Sequence, residues 1–260
     1  MPNLMNYIFK IALGCCVLLG ALTGCNNRSI KLQLKYEKGF EKKIYIVTEM
    51  SYGDRISKSS TMVLKLKLDS VMVNSYRFIV DVNSITFFSS NGNELEDYDS
   101  NEPESEMTKD EKAKHAKFND MSASEFFIEI DQQGRVIKPF YYKNGNPYKG
   151  THSYWDEIIE MPTLQIVFPD HDIEIGDQWK YETLVAYTKQ KKEFTYTLKE
   201  VNDKEVIIEL YIETIGMVSG FSKPVLKGTC RLDRKTNQLI KADMKSNMAS
   251  DGEMSSFTIE

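Results

Sequence analysis

The chain has few of the residues from which catalytic and metal sites are most often built. Its 260 residues include three histidines and four cysteines, and none of His115, His152 and His171 stands at metal-ligand spacing from another histidine. We find no Gly-x-Ser-x-Gly elbow, no Ser-x-x-Lys motif and no glycine-rich phosphate loop. We therefore expect no metal or cofactor and predict that the protein is not an enzyme. The catalytic alternative is a hydrolase whose carboxylates converge only in space.

An excess of positive charge is also absent. Lys and Arg number 33 against 38 Asp and Glu, which gives a formal net charge of -5. Nucleic-acid binding requires a concentration of basic side chains, so we expect no nucleic-acid partner. The 41% hydrophobic and 27% charged residues are typical of a globular chain.

The N-terminus carries the most specific signal. Lys10 is the only charged residue among the first 25, and it precedes an apolar run and the sequence Leu22-Thr23-Gly24-Cys25. This pattern is typical of a signal peptide, and its last four residues resemble the lipobox of bacterial lipoproteins. The resemblance implies that residues 1–24 are removed, that Cys25 is lipidated, and that residues 25–29 form a tether. An uncleaved N-terminal anchor with an incidental cysteine is the alternative.

A lipid on Cys25 would place the protein in the cell envelope as a membrane-anchored lipoprotein. The following Asn26-Asn27-Arg28 lacks the acidic cluster that resembles a surface-export signal, so we expect an outer-membrane protein that faces the periplasm. Cys15 and Cys16 would leave with the signal peptide, and Cys230 then has no disulfide partner. Cys230 lies in a strand-like run and is predicted to be a buried apolar residue.

Residues 30–260 read as a single β-rich domain. Apolar and polar residues alternate from Ile30 to Tyr36, from Leu64 to Leu68 and from Val206 to Ile212, which is the period of a half-buried strand. Clean alternation favours antiparallel pairing, because parallel strands are buried on both faces. We predict a mostly β fold with a large curved antiparallel sheet or half-barrel.

The sequence pattern also repeats weakly. Residues 62–82 resemble 194–215, and residues 127–137 resemble 230–240, in the same order. This similarity predicts two related meanders, at 30–140 and 163–260, joined in one sheet. A general likeness between hairpins is the alternative.

Two short helices are predicted, one in a charged insertion. Thr108 and Glu111 form a capping box that opens a helix from Lys109 to Phe118, and a second helix spans residues 153–160 before Pro162. The first is nearly all charged, so we expect residues 90–123, including His115, to form a solvated insertion. Its acidic cluster, residues 94–106, fails the calcium-loop pattern, because Glu102 stands where that loop has Gly. Weak cation binding by the cluster is the alternative to a solvated acidic loop.

Polar turns and aromatic side chains are the remaining candidates for binding. Asp170-His171-Asp172 is expected to be a polar turn. The aromatic side chains between residues 141 and 155 are expected to cover the core more readily than to bind a ligand; they are Tyr141, Tyr142, Tyr148, Tyr154 and Trp155.

Three segments resemble an uncharacterised family of Gram-negative lipoproteins: residues 32–39, 168–179 and 228–233. The resemblance implies structural roles, with a turn at Gly176-Asp177, an anchoring Trp179 at a strand start, and Asn237 where the family often has Gly in the closing turn. It implies no catalytic residue. A looser likeness is to periplasmic lipoproteins whose half-open sheet holds lipid.

Two non-catalytic functions follow as hypotheses. In one, the curved sheet holds a lipid or another hydrophobic ligand beside the membrane. In the other, the sheet is filled by its own side chains, and the protein has a structural role or binds an envelope protein. The shape of the sheet interior distinguishes them.

Overall fold

The computed structural model describes residues 29–52, 55–91, 94–146, 166–184, 191–215, 225–248 and 253–259. Its strands are β1 Glu41–Tyr52, β2 Arg55–Val71, β3 Ser75–Asn91, β4 Glu94–Asp99, β5 Phe126–Asp131, β6 Val136–Tyr142, β7 Gln178–Leu184, β8 Lys191–Val201, β9 Glu205–Ile215, β10 Val225–Asp233, β11 Leu239–Met248 and β12 Glu253–Ile259. One α-helix is described, α1 Lys109–Ser122. The predicted mostly β class is confirmed. The predicted helix at 153–160 lies outside the described residues.

All the described strands belong to one antiparallel sheet. Their order is β6-β5-β3-β2-β1-β12-β11-β10-β9-β8-β7, and β4 pairs with the part of β3 that β5 leaves free. The sheet is open, because the strands β6 and β7 at its two ends do not pair with each other. The first half contributes β1, β2, β3, β5 and β6 on one side of β12, and the second half contributes β7 to β11 on the other. In both halves, strands that follow each other in the chain along this path are neighbours in the sheet.

One face of the sheet carries the core. A row of directly opposed residues on this inner face crosses eight strands, and every member is buried. The row consists of Leu198, Ile208, Cys230, Ala242, Ile259, Ile46, Met62 and Ile85. Opposed residues share a face, and the inward position that alternation predicted for Ile208 is confirmed. The predicted burial of Cys230 is confirmed.

The outer face of the sheet is polar and carries cross-strand ion pairs. Glu209 on β9 pairs with Lys199 on β8 and Lys227 on β10, each at 3.2 Å. Lys180 pairs with Glu193 at 2.7 Å. Exposed pairs of this kind contribute little stability each, but opposite charges on neighbouring strands favour the observed register.

The hairpin turns among the described residues lie at one end of the sheet, which we call the closed end. It contains the β2–β3, β5–β6, β8–β9 and β10–β11 turns and the starts of β1 and β7. Short polar turns at 131–134, 201–204 and 233–237 join the strands of three of these hairpins. The opposite end of the sheet is called the far end.

Residues 30–36 differ from the prediction in one respect. Ile30, Leu32, Leu34 and Tyr36 are buried as their alternation indicated, but the segment forms an isolated bridge with Ile173 and no regular strand. It crosses the turns of the closed end, so its backbone finds partners in turns rather than in a neighbouring strand.

The charged insertion is more ordered than predicted. The capping box is confirmed, since Glu111 donates its backbone N–H to Thr108 Oγ1 at 3.3 Å and Thr108 donates its own to Glu111 Oε2 at 2.5 Å. However, β4 extends the sheet, and Met107 and Phe118 are buried. The prediction of a wholly solvated insertion is therefore wrong. Within the described ranges, no helix combines the length and the apolar character needed to cross a bilayer.

Candidate functional site

An extended segment, residues 30–36, closes one end of the inner face, and we call it the strap. Leu34 donates its backbone N–H to the Gln132 carbonyl at 2.8 Å, and Lys35 donates to the Thr236 carbonyl at 3.0 Å. The first acceptor lies in the β5–β6 turn and the second in the β10–β11 turn. The strap therefore joins two turns that belong to opposite halves of the sheet.

Side chains reinforce the attachment of the strap. Asn237 donates through Nδ2 to the Gln33 carbonyl at 2.9 Å, and Gln238 donates through Nε2 to the Lys35 carbonyl at 2.6 Å. Asn237 has φ of 55°, so the left-handed backbone expected at this position is confirmed. That conformation is tolerated by Asn better than by other side chains except Gly.

A second segment, residues 166–173, covers the core beside the strap. Phe168 donates its backbone N–H to the Gln133 carbonyl at 2.8 Å. Trp179 donates through its indole Nε1 to the Val167 carbonyl at 2.6 Å and stacks on Tyr196 with ring centroids 5.3 Å apart. The expected anchoring role of Trp179 is confirmed, as is the turn before it, where Gly176 has φ of 99°.

The half of the inner face next to the closed end, which we call the closed half, is filled by the protein's own side chains. A cavity between the strap, β1, β2, β11 and β12 has a volume of about 10 Å³. A space of this size holds a single water molecule at most, whereas ligand pockets measure roughly 300 Å³ or more. This cavity is too small for an acyl chain.

Lys42 borders that cavity and points inward. Its ammonium donates to the Leu239 carbonyl at 2.6 Å, and burial lowers the pKa of Lys42 below its ordinary value. The carbonyl satisfies one of its three N–H donors. Lys42 thus places a positive charge beneath the strap.

The inner face continues beyond the closed half, and we call this continuation the far half. It consists of two rows of opposed residues. The rows contain Thr48, Ser60, Phe87 and Tyr98 in one, and Tyr181, Phe194, Ile212, Leu226 and Ser246 in the other. Each row therefore has small hydroxyl side chains at one end and large apolar or aromatic side chains along the rest.

Three of these hydroxyls are buried without a hydrogen-bond partner. Ser60 is 3% exposed and Ser246 is 1% exposed, and neither Oγ has a partner. The buried Oγ1 of Thr48, directly opposite Ser60, has none either. A buried hydroxyl that loses its water without gaining a partner lowers stability by about 1–3 kcal/mol. These groups are therefore potential contacts for a molecule with polar as well as apolar atoms.

Helix α1 lies against the first row of the far half. His115 Nδ1 is 3.2 Å from the Tyr98 hydroxyl, and its ring lies beside Phe118 with centroids 6.2 Å apart. The Lys114 ammonium lies 5.8 Å from the centre of the Phe87 ring. The prediction that His115 is solvated is therefore wrong. It failed because the spacing of residues in the sequence does not show that Tyr98 on β4 faces the helix.

The other predicted candidates do not form a site in the described residues. Cys25, His152, Tyr148, Tyr154 and Trp155 lie outside them. His171 lies in an exposed polar bend next to Asp170, which pairs with Arg135 at 3.2 Å. Across the described ranges no group of three or more His, Cys, Asp or Glu side chains is placed to hold a metal.

The aromatic side chains Tyr141 and Tyr142 lie on opposite faces of β6. Tyr142 packs against the core beside Phe126, whereas Tyr141 stacks on Phe127 on the outer face with centroids 5.7 Å apart. The Tyr141 hydroxyl donates to Glu129 at 2.5 Å, and burial followed by this bond raises the pKa of Tyr141 to about 12. Both rings cover the sheet, as expected.

Sequence reasoning did not single out the buried hydroxyls of Ser60 and Ser246, although Ser60 continues the inward parity of Met62 and Leu64. That parity was the available signal. The hydrogen bonds between the strap and the turns had no local signal, since the donor and the acceptor of each bond are far apart in the chain.

The chain matches no protein-family model and no curated protein. Among solved structures, it is similar to a domain from Vibrio parahaemolyticus provisionally described as an outer membrane lipoprotein-sorting protein domain. The identity is 10%, the alignment covers 85% of this chain and 84% of that one, and the TM-score is 0.20. This similarity is too low to assign a family or a function.

Proposed function

We propose that the protein is a non-catalytic lipoprotein of the bacterial cell envelope, held to the outer membrane through Cys25 and facing the periplasm. Its far half binds a hydrophobic ligand such as the acyl portion of a lipid. The proposal is supported by the lipobox pattern that ends at Cys25 and by the composition of the inner face.

The observation that carries ligand binding is the pair of unpartnered hydroxyls at Ser60 and Ser246. Both are buried on a face that also presents Phe194 and Ile212. Buried polar groups in proteins are nearly always hydrogen-bonded. A lipid offers methylene groups to the aromatic and aliphatic residues and ester oxygens to the hydroxyls, so it complements both kinds of surface.

Native mass spectrometry tests ligand binding. The mature chain with Cys25→Ser, exported by an ordinary cleavable signal peptide and purified without detergent, should carry a co-purifying lipid. A Ser60→Trp variant should lose that lipid, because the indole would occupy the inner face. Thr61→Trp is the matched control, since the neighbouring residue points to the outer face, and it should retain the lipid. An apo mass for the Cys25→Ser protein would contradict ligand binding.

The anchor is tested separately by metabolic labelling. Radiolabelled palmitate should enter the wild-type protein and should not enter the Cys25→Ser variant. Cys230 is buried and serves as the internal control. Equal labelling of both forms, or labelling of neither, would contradict an anchor at Cys25.

A structural or protein-interaction lipoprotein is the second candidate function. It is favoured by the closed half, where the strap and residues 166–173 fill the core and the cavity measures about 10 Å³. For this candidate, an apo mass and normal membrane anchoring are both expected. Crosslinking of the anchored protein would then identify its partner.

A further inference from the structure

Exposed apolar side chains gather at the closed end of the sheet. In the described residues, nine large hydrophobic side chains are exposed, and six of them lie beside a closed-end turn or strand start. These six are Val71, Met72, Val73, Ile137, Ile175 and Ile240. Single exposed apolar residues are common on proteins, but several that gather at one end of a molecule mark a contact surface.

The β2–β3 turn is the centre of this set. Val71, Met72 and Val73 are consecutive, and Val73 is 91% exposed. Tight turns favour Gly, Asn, Asp, Ser and Pro, because these residues fit the backbone or solvate it. Three consecutive exposed apolar residues are unfavourable in a turn that faces water, and such a run indicates a function.

The turn projects from a rigid base. The Met72 backbone N–H donates to the Ser75 carbonyl at 2.8 Å, which closes the turn. Below it, the Tyr76 hydroxyl donates to the strap carbonyl of Leu34 at 3.0 Å, and Leu68 donates its backbone N–H to the Phe40 carbonyl at 2.9 Å. The apolar tip is thus fixed to the strap and cannot fold back easily onto the core.

The described chain also starts at this end. Ser29 is exposed, and the next residue, Ile30, bridges Ile173, two positions before the exposed Ile175. Cys25 is four residues before Ser29, so a fully extended chain places its sulfur within about 15 Å of the closed end. A lipid on Cys25 would draw this end of the sheet, and not the far end, towards the bilayer.

We propose that the closed end is a membrane-contacting surface, in which the Val71–Val73 tip and Ile175 enter the interfacial region of the bilayer that holds Cys25. Apolar side chains gain free energy at that depth, and a short tether keeps them there. The far half of the inner face then points away from the membrane. This inference rests on the proposed anchor at Cys25, but not on the proposed ligand.

The test uses a chemical tether, so that it does not depend on lipidation in the cell. The chain from Cys25 onward contains every described residue, and Cys230 is buried, so a maleimide-headgroup lipid reacts selectively at Cys25. The coupled protein is placed on vesicles of phosphatidylethanolamine and phosphatidylglycerol, with or without brominated acyl chains. Val73→Trp reports on the tip, and Leu184→Trp is the matched control, an exposed apolar residue at the far end.

For Val73→Trp we expect a blue-shifted emission that brominated chains quench by about twofold or more relative to the parent protein, because bromine quenches only indoles within the bilayer. Leu184→Trp should show no additional quenching. Equal quenching of the two variants, or an unquenched Val73→Trp on tethered protein, would overturn the inference. Neither result would bear on whether Cys25 is lipidated in the cell, which palmitate labelling decides.

Discussion

The side-chain amide of Asn237 donates a hydrogen bond of 2.9 Å to the backbone carbonyl of Gln33, 204 positions earlier in the chain. The bond joins the β10–β11 turn to the strap. It depends on the left-handed backbone of Asn237, whose φ is 55°. One residue thus supplies both the turn conformation and the attachment of the strap.

We predict that two substitutions at Asn237 differ in a defined order. Asn237→Gly retains the left-handed backbone and loses the bond to Gln33 together with the buried side chain, so the free energy of unfolding should fall by about 1 kcal/mol. Asn237→Ala loses the bond and also strains the backbone, which adds about 1 kcal/mol. Urea denaturation followed by tryptophan fluorescence measures both. If the two variants are equally stable, the left-handed backbone at residue 237 imposes little strain on an alanine.

Gly228 should tolerate no side chain. A Cβ at this position would lie 1.8 Å from the Asp243 carbonyl oxygen and 2.7 Å from Met244 Cα, both backbone atoms of β11. Gly228→Ala must therefore displace β10 from β11, and we expect a loss of about 2 kcal/mol or more.

Thr229→Ala is the control for Gly228, because Thr229 is the next residue on β10 and points to the other face. Thermal unfolding followed by circular dichroism should show a large decrease in Tm for Gly228→Ala and a small one for the control. A Gly228→Ala protein that melts with the wild type would show that the two strands separate without cost.

Asp233 should make the β10–β11 turn sensitive to acid. Its Oδ1 accepts hydrogen bonds from the backbone N–H of Thr236 at 2.8 Å and of Lys235 at 3.0 Å. The bond from the Thr236 backbone is the largest cause that lowers the pKa of Asp233 below its ordinary value of 3.8. A lowered folded-state pKa adds stability above the unfolded-state pKa, and this stability is lost as the pH falls through the folded-state pKa.

Asp233→Asn should consequently be less stable than wild type at neutral pH, with a difference that narrows below about pH 4. Once the pH is below the folded-state pKa of Asp233, both side chains are neutral and the difference no longer depends on pH. Asp203→Asn provides the control, since it lies in the β8–β9 turn, where Asn202 accepts the turn hydrogen bonds. Urea denaturation from pH 3 to pH 7 measures the differences, and a difference that is constant with pH would contradict this role of Asp233.

Cys230 should be chemically silent in the folded protein. It is buried between Ile208 and Ala242, and burial raises the pKa of its thiol to about 12. Only the thiolate reacts with alkylating reagents, so raising the pH from 7 to 9 should barely accelerate labelling of the native state. In the Cys25→Ser mature chain, iodoacetamide labelling of Cys230 should follow global unfolding in urea. Rapid labelling without urea would show that β10 opens locally.

The alternation of apolar and polar residues was sufficient to predict much of the fold. It indicated strands within β2, β9 and β10, the antiparallel class, the inward position of Cys230 and the burial of Leu32 and Leu34, because a side chain in a strand can face only two ways. The resemblance to the lipoprotein family implied a turn at Gly176 and placed Asn237 where Gly is frequent. Both residues have the left-handed backbone that few residue types accept.

Other properties were decided only by tertiary structure. Leu34 lies in the strap and not in a strand because its backbone N–H bonds to the Gln132 carbonyl. His115 is partly shielded from solvent because it contacts Tyr98. Neither partner is signalled by local spacing. The apolar closed end and the unpartnered hydroxyls of Ser60 and Ser246 likewise arise when distant strands are brought into register. Sequence alone determined which residues turn inward and where an anchor pattern ends, because these follow from local periodicity and motif. The closed end and its surfaces form only through contacts between residues that are far apart in the chain.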